Sequence, residues 1–150
     1  GRIVTDDLQI AQWLGFTFMK ADQASWANSR EVGLYEITAQ AIRYALKTGV
    51  INEQDFWLTD QVLWAKLKNS QDPKLGQQLD RIDPETRFIR DAQRAEFWVA
   101  TKLRTIDPSV LLNGVVQPLS QIDQEFARQR RDYLSAQSGK WPVYVEPSLR

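Results

Sequence analysis

The rhythm of apolar and polar positions changes once along this chain. Ahead of Asp83-Pro84, apolar residues recur every three or four positions, the period of a helix with a buried face. Leu8, Ala11, Trp13, Leu14, Phe16, Phe18, Ala21 and Ala24 predict a first helix that is apolar nearly all round. Such a helix is usually buried. Thr5 or Asp6 is its expected cap, with acids at its positive end. Leu34, Ile37, Ala41, Ile42, Ala45 and Leu46 predict a second helix over residues 30–48, stopped by Gly49. Asn52 is placed to cap a short turn through Phe56, and Thr59 to cap a helix over residues 60–68. Asp72-Pro73 is a cap followed by proline at the first helical position, and Asp83-Pro84 repeats that start signal.

Beyond residue 94 the period becomes two. Phe97, Val99, Thr101 and Leu103 alternate with Trp98, Ala100, Lys102 and Arg104, which predicts a strand over residues 95–106. Asn113-Gly114 sits between Val110-Leu111-Leu112 and Val115-Val116, a hairpin whose two turn residues take positive φ. Ser120 and Asp123 resemble a capping box for a helix ending near Ala136, before Gly139. Trp141 to Val145 reads as a last short strand, with Pro142 pointing to a sheet edge. Helices first and strands later predict an α+β fold: a mainly helical N-terminal two-thirds, then a small antiparallel sheet and one helix. Residues 1–150 are read as a single domain with a subdomain seam near residue 94.

Composition narrows the chemistry more than the fold. The 150 residues contain no histidine and no cysteine. Disulfides, thiolate nucleophiles and imidazole or thiolate metal sites are therefore outside the reach of this chain alone. The lack of cysteine suits a reducing, cytoplasmic setting. Nineteen basic residues balance nineteen acidic ones, so nucleic acid is not the expected partner, because phosphate binding favours a basic excess. No run approaches the ~20 apolar residues of a membrane span. The abrupt Gly1-Arg2 opening is read as a cut from a longer protein.

Individual residues add little to this. Asp6-Asp7 is the only adjacent acidic pair and reads as helix-start chemistry. The glycines are scattered and form neither a P-loop nor a dinucleotide fingerprint. Six Trp, six Phe and four Tyr offer stacking platforms, but their spacing favours a core. Arg128, Arg130 and Arg131 lie among Asp123, Glu125 and Asp132, the mark of a solvated helix face. Asp22 stands out. A carboxylate inside an apolar helix is costly unless it is paired or ligates something; Lys20 and Arg30 are the expected partners, with simple exposure as the alternative.

Three stretches together resemble the C-terminal part of the HD-superfamily metal-dependent phosphohydrolases: Ala21-Asp22-Gln23-Ala24-Ser25-Trp26, Ile106-Asp107-Pro108 through Asn113-Gly114 and Leu119-Ser120, and Tyr144-Val145. The resemblance implies a helical catalytic part and a divalent metal held by a His, a His-Asp pair and a later Asp. Only the later Asp can be carried over, onto Asp22, and its His partners would lie upstream of Gly1. Gln23 and Ser25 depart from the charged residues usual there. The chain then has no cofactor of its own and no catalysis by itself. It would face a missing N-terminal helical half through an apolar surface near Trp13, Phe16 and Trp26. A stand-alone, non-enzymatic interaction or regulatory module is the other reading. A homodimer through the aromatic N-terminal region or a strand edge at Trp141 is also open.

Overall fold

Asp7, not Thr5 or Asp6, starts the first long helix. Its carboxylate accepts from the backbone N–H groups of Gln9 and Ile10 and so satisfies two of the orphan donors of α1 (Leu8–Ala24). The computed structural model describes residues 4–146. Within them α1 is preceded by a two-residue strand, β1 (Val4–Thr5). The chain resolves into two compact units, each discontinuous in sequence. One contains residues 4–28 and 100–141, the other residues 29–99 and 142–146.

The first unit is built on a narrow face of α1. Ala11, Gly15, Met19 and Asp22 are its buried positions, spaced by four, four and three residues. The expectation of a helix buried all round is corrected: Ile10 and Trp13 are exposed. Small residues on the inner face let a neighbour come close. The Phe126 ring lies so near Gly15 that a Cβ there would fall 2.5 Å from Cε2. Phe126 belongs to α6 (Gln124–Gln137), and Phe16 meets it edge-on with centroids 5.4 Å apart. Ala11, Met19, Val110, Leu119 and Phe126 form the core, each large member contributing about 1.5–3 kcal/mol by burial. β4 (Ser109–Leu112) and β5 (Val115–Pro118) form the expected hairpin, with φ of 50° at Asn113 and 75° at Gly114. β1 pairs with β4 in parallel, giving the order β1-β4-β5.

The helix start at Ser120 is corrected. Leu119–Ile122 forms a separate single turn, α5, and Asp123 alone caps α6 by accepting from Phe126 N–H. Ser120 instead donates its hydroxyl and its N–H to Asp107.

The second unit opens with α2 (Ser29–Thr48), ended by Gly49 at φ 76°. A 3-10 turn (Glu53–Trp57) carries a full capping box between Asn52 and Asp55. α3 (Asp60–Lys68) and α4 (Pro73–Asp80) follow. Asp72 caps α4 through the N–H groups of Lys74 and Leu75. The helical core gathers Ala41, Ala45, Ile51, Leu67 and Leu75.

Strands β2 (Arg87–Arg90), β3 (Phe97–Ala100) and β6 (Lys140–Glu146) form a sheet in the order β2-β6-β3. One helix start and two strand expectations change here. Asp83-Pro84 makes a turn rather than a helix: Asp83 Oδ1 accepts from Glu85 N–H, and the chain then enters β2. β3 is shorter than the expected strand, since residues 101–108 carry no ladder. The last strand is central, not an edge. Pro142 is tolerated because it lies one residue beyond the β2 register, where Val143 pairs with Arg90, and it contributes its carbonyl to Asp91 N–H. The architecture is a mixed α+β fold, largely helical in its N-terminal part, with small sheets and helices toward the C-terminus.

Candidate functional site

The most unusual side chain in the structure is Asp22. It is fully buried, at 0% relative exposure. Burying a carboxylate costs several kcal/mol unless donors replace its water. Two donors converge on Oδ2: the backbone N–H of Arg104 at 2.9 Å and the Tyr133 hydroxyl at 2.7 Å. Among the described residues Oδ1 has no hydrogen-bond partner, and the Arg104 guanidinium faces it with Nη1 at 3.9 Å. That guanidinium lies over the Trp26 ring, 5.5 Å from its centroid, and donates to the Lys102 carbonyl at 3.3 Å. Burial, followed by the bond to Asp22, raises the Tyr133 hydroxyl well above the usual tyrosine range.

The expected partners of Asp22, Lys20 and Arg30, are therefore replaced by Arg104 and Tyr133, which lie 82 and 111 residues away in sequence. Neither is marked by a local pattern. The one available signal was indirect: a carboxylate in an apolar face must find donors somewhere.

Asp22 is also the residue that the sequence resemblance assigns to a metal, and its surroundings test the assignment. A metal shell consists of groups that share lone pairs. The groups touching this carboxylate are an N–H, an O–H and a guanidinium, all hydrogen donors. A divalent cation at Oδ1 would sit against the like charge of Arg104. Among the described residues, no three acidic, His or Cys side chains converge as a metal would require. The donor set present does not fit a metal.

The four aromatic residues expected to form an interaction surface are placed differently from one another. Trp13 is exposed (65%) and Trp26 half so (47%). Phe16 is partly buried against Phe126. Trp141 is buried and its indole N–H donates to the Gln137 carbonyl. The Arg128–Arg131 run does not act as one patch: Arg128 pairs with Glu125 and Asp132, while Arg130 donates to Thr105 Oγ1. A groove of about 670 Å³ lies in the first unit between Ile10, Leu14, Ile106, Pro108, Val116 and Pro118. Asp107 also lines it, but both of its oxygens are engaged by Ser120.

In the second unit, Asp55 is buried against Lys66 and the Asn52 N–H. The Lys66 bond first, and the Asn52 bond next, hold its carboxyl below the ordinary aspartate range. Because both partners lie within its own capping turn and the next helix, this is helix-start architecture. Among the described residues, no helix is long and apolar enough to cross a membrane.

No protein-family model matches the chain, and no solved structure does. Two curated proteins are similar. The metal-dependent phosphohydrolase cns2 of Cordyceps militaris is 26% identical over 135 residues, covering 88% of this chain and 39% of that protein. The uncharacterized protein YdhJ of Bacillus subtilis is 31% identical over 146 residues, covering 97% of this chain and 44% of its own length. The chain thus spans less than half the length of these relatives, and it is distantly homologous to a metal-dependent phosphohydrolase-like protein.

Proposed function

We propose that this chain is one portion of a longer phosphohydrolase of the HD type. It supplies scaffold and contact surface, while the residues that hold the metal and activate its water lie elsewhere in the polypeptide. The observation that carries this reading is the uneven coverage: almost all of this chain aligns with a protein described as a metal-dependent phosphohydrolase, yet most of that protein is unmatched. The chemistry of the residues agrees with it. Metal-assisted hydrolysis needs several converging ligands and an open coordination position. Here histidine and cysteine are missing from the sequence, Asp7, Asp72 and Asp123 cap helices, and Asp22 and Asp55 face Arg104 and Lys66.

Trp13 and Trp26 belong to the contact surface in this reading. Large exposed aromatics are expected where another part of the polypeptide packs. The test is phosphate release by the purified full-length protein, assayed with nucleotides and sugar phosphates, with and without Mg²⁺, Mn²⁺ or Co²⁺. Metal-dependent release supports the reading; no release with any metal contradicts it.

A second reading, a non-enzymatic interaction module, draws on Phe56, Trp57 and Leu58. These are three consecutive exposed apolar residues, with Trp57 at 87%. Under it, the full-length protein would bind a partner and release no phosphate.

A further inference from the structure

We infer that Asp22, although it occupies the place where the family resemblance puts a metal ligand, is a structural tie and gives no ligand to the metal of the longer protein. The inference rests on the function proposed above for the presence of a metal, and on the geometry of the first unit for the rest.

Three features of that geometry carry it. The first is the sign of the surroundings. Arg104 N–H, Tyr133 O–H and the Arg104 guanidinium all present hydrogen or positive charge to the carboxylate. This is a cradle for an anion, and the anion is Asp22 itself. The second is enclosure. Asp22 has no exposed surface, whereas a carboxylate shared with ligands from another part of a protein must keep one oxygen open toward them.

The third is what the contacts accomplish. Residues 101–108 run without a sheet ladder, so their backbone donors must find partners elsewhere. Asp22 takes the Arg104 N–H, and Thr101 donates its hydroxyl to the Gln137 carbonyl. Thr105 Oγ1 accepts from Arg130. Asp22 Oδ2 thereby joins α1, the unladdered segment and α6 at one atom. The unpartnered Oδ1 is explained in the same terms: the adjacent guanidinium compensates its charge without a hydrogen bond, and the stacking on Trp26 holds that guanidinium in place.

Removing the charge should therefore cost stability and leave metal binding alone. The experiment uses the full-length protein as wild type, Asp22→Asn and Tyr133→Phe. Metal per polypeptide is measured by plasma mass spectrometry, Mn²⁺ affinity by calorimetry, and Tm on the metal-stripped proteins. We expect both variants to hold the wild-type amount of metal with affinity within about two-fold, and Tm of the Asn variant to fall by at least about 5 °C.

Loss of metal, or a Mn²⁺ affinity at least ten-fold weaker, in Asp22→Asn with an unchanged stripped Tm would overturn the inference. If Asp22→Asn loses both, Tyr133→Phe decides, because it loosens the tie and keeps the carboxylate. Metal lost there as well is damage passed through the fold and supports the tie; metal kept there makes Asp22 a ligand. A wild-type protein that holds no metal would contradict the proposed function instead, and the stripped Tm values would still judge the tie.

Discussion

Tyr133 donates its hydroxyl hydrogen to Asp22 Oδ2 at 2.7 Å, joining α6 to α1 across 111 residues of sequence. A hydrogen bond to a buried charged group contributes about 1.5–3 kcal/mol. Tyr133→Phe removes the donor and keeps the ring, so the variant should lose about that much stability near neutral pH, as read by urea unfolding. The gap should narrow in alkali. The Tyr133 hydroxyl is raised in the folded protein, so in the unfolded chain it ionises first, near its ordinary value of about 10. The tyrosine's stabilisation is complete below that pH and is lost as pH climbs above it. The phenylalanine variant has no hydroxyl to titrate at this position and escapes that loss.

Gly33 faces the Phe88 ring so closely that any Cβ would overlap it. The glycine is needed here for space. Gly33→Ala should destabilise the second unit by about 1–3 kcal/mol, the usual cost of overpacking. Shrinking the obstacle should recover part of that: the double variant Gly33→Ala, Phe88→Leu should be more stable than the sum of its single changes implies. A double-mutant cycle in urea measures the coupling, and strict additivity would show that the ring moves aside freely.

Asp55 stabilises the second unit through Lys66 and the capping box at Asn52. Its carboxyl is depressed in the fold, so its contribution is complete above the ordinary aspartate value near 4. It is lost as pH falls through the lower folded value. Asp55→Asn should be less stable than wild type at pH 7, and the difference should shrink toward pH 2. Unfolding curves at a series of acid pH values test this. A difference that grows in acid would contradict it.

Much of the local structure was legible because it depends on neighbours in sequence. Asp72-Pro73 starts a helix since Asp72 reaches the N–H groups two and three residues on. Asn113-Gly114 turns a hairpin since both residues take positive φ. The same reasoning failed at Asp83-Pro84, where an identical signal closes a turn ahead of β2. What decides there is a strand pairing with residues nearly sixty positions later, Arg87 with Glu146. Pro142 misled for a related reason: its effect depends on where the β2 register ends. Asp22 was legible as an anomaly, but its partners were not, because Arg104 and Tyr133 are brought to it only by the fold of the first unit.

Trp13 offers a check on the contact surface. It is 65% exposed, so Trp13→Ser should change the stability of residues 1–150 alone by no more than about 0.5 kcal/mol. In the full-length protein the same change should cost about 2 kcal/mol or more if the rest of the polypeptide packs on that ring. Equal small effects in both proteins would remove Trp13 from the surface.

The central claim, a portion of a metal-dependent phosphohydrolase whose metal ligands lie elsewhere, is tested most directly by one titration. Inorganic phosphate released by the purified full-length protein is followed as Mn²⁺ is added to metal-stripped wild type and Asp22→Asn. The account predicts that both proteins gain activity at the same Mn²⁺ concentration, within about two-fold. Activity in neither protein, or activity in wild type with none at any Mn²⁺ concentration in a folded Asp22→Asn, would contradict it.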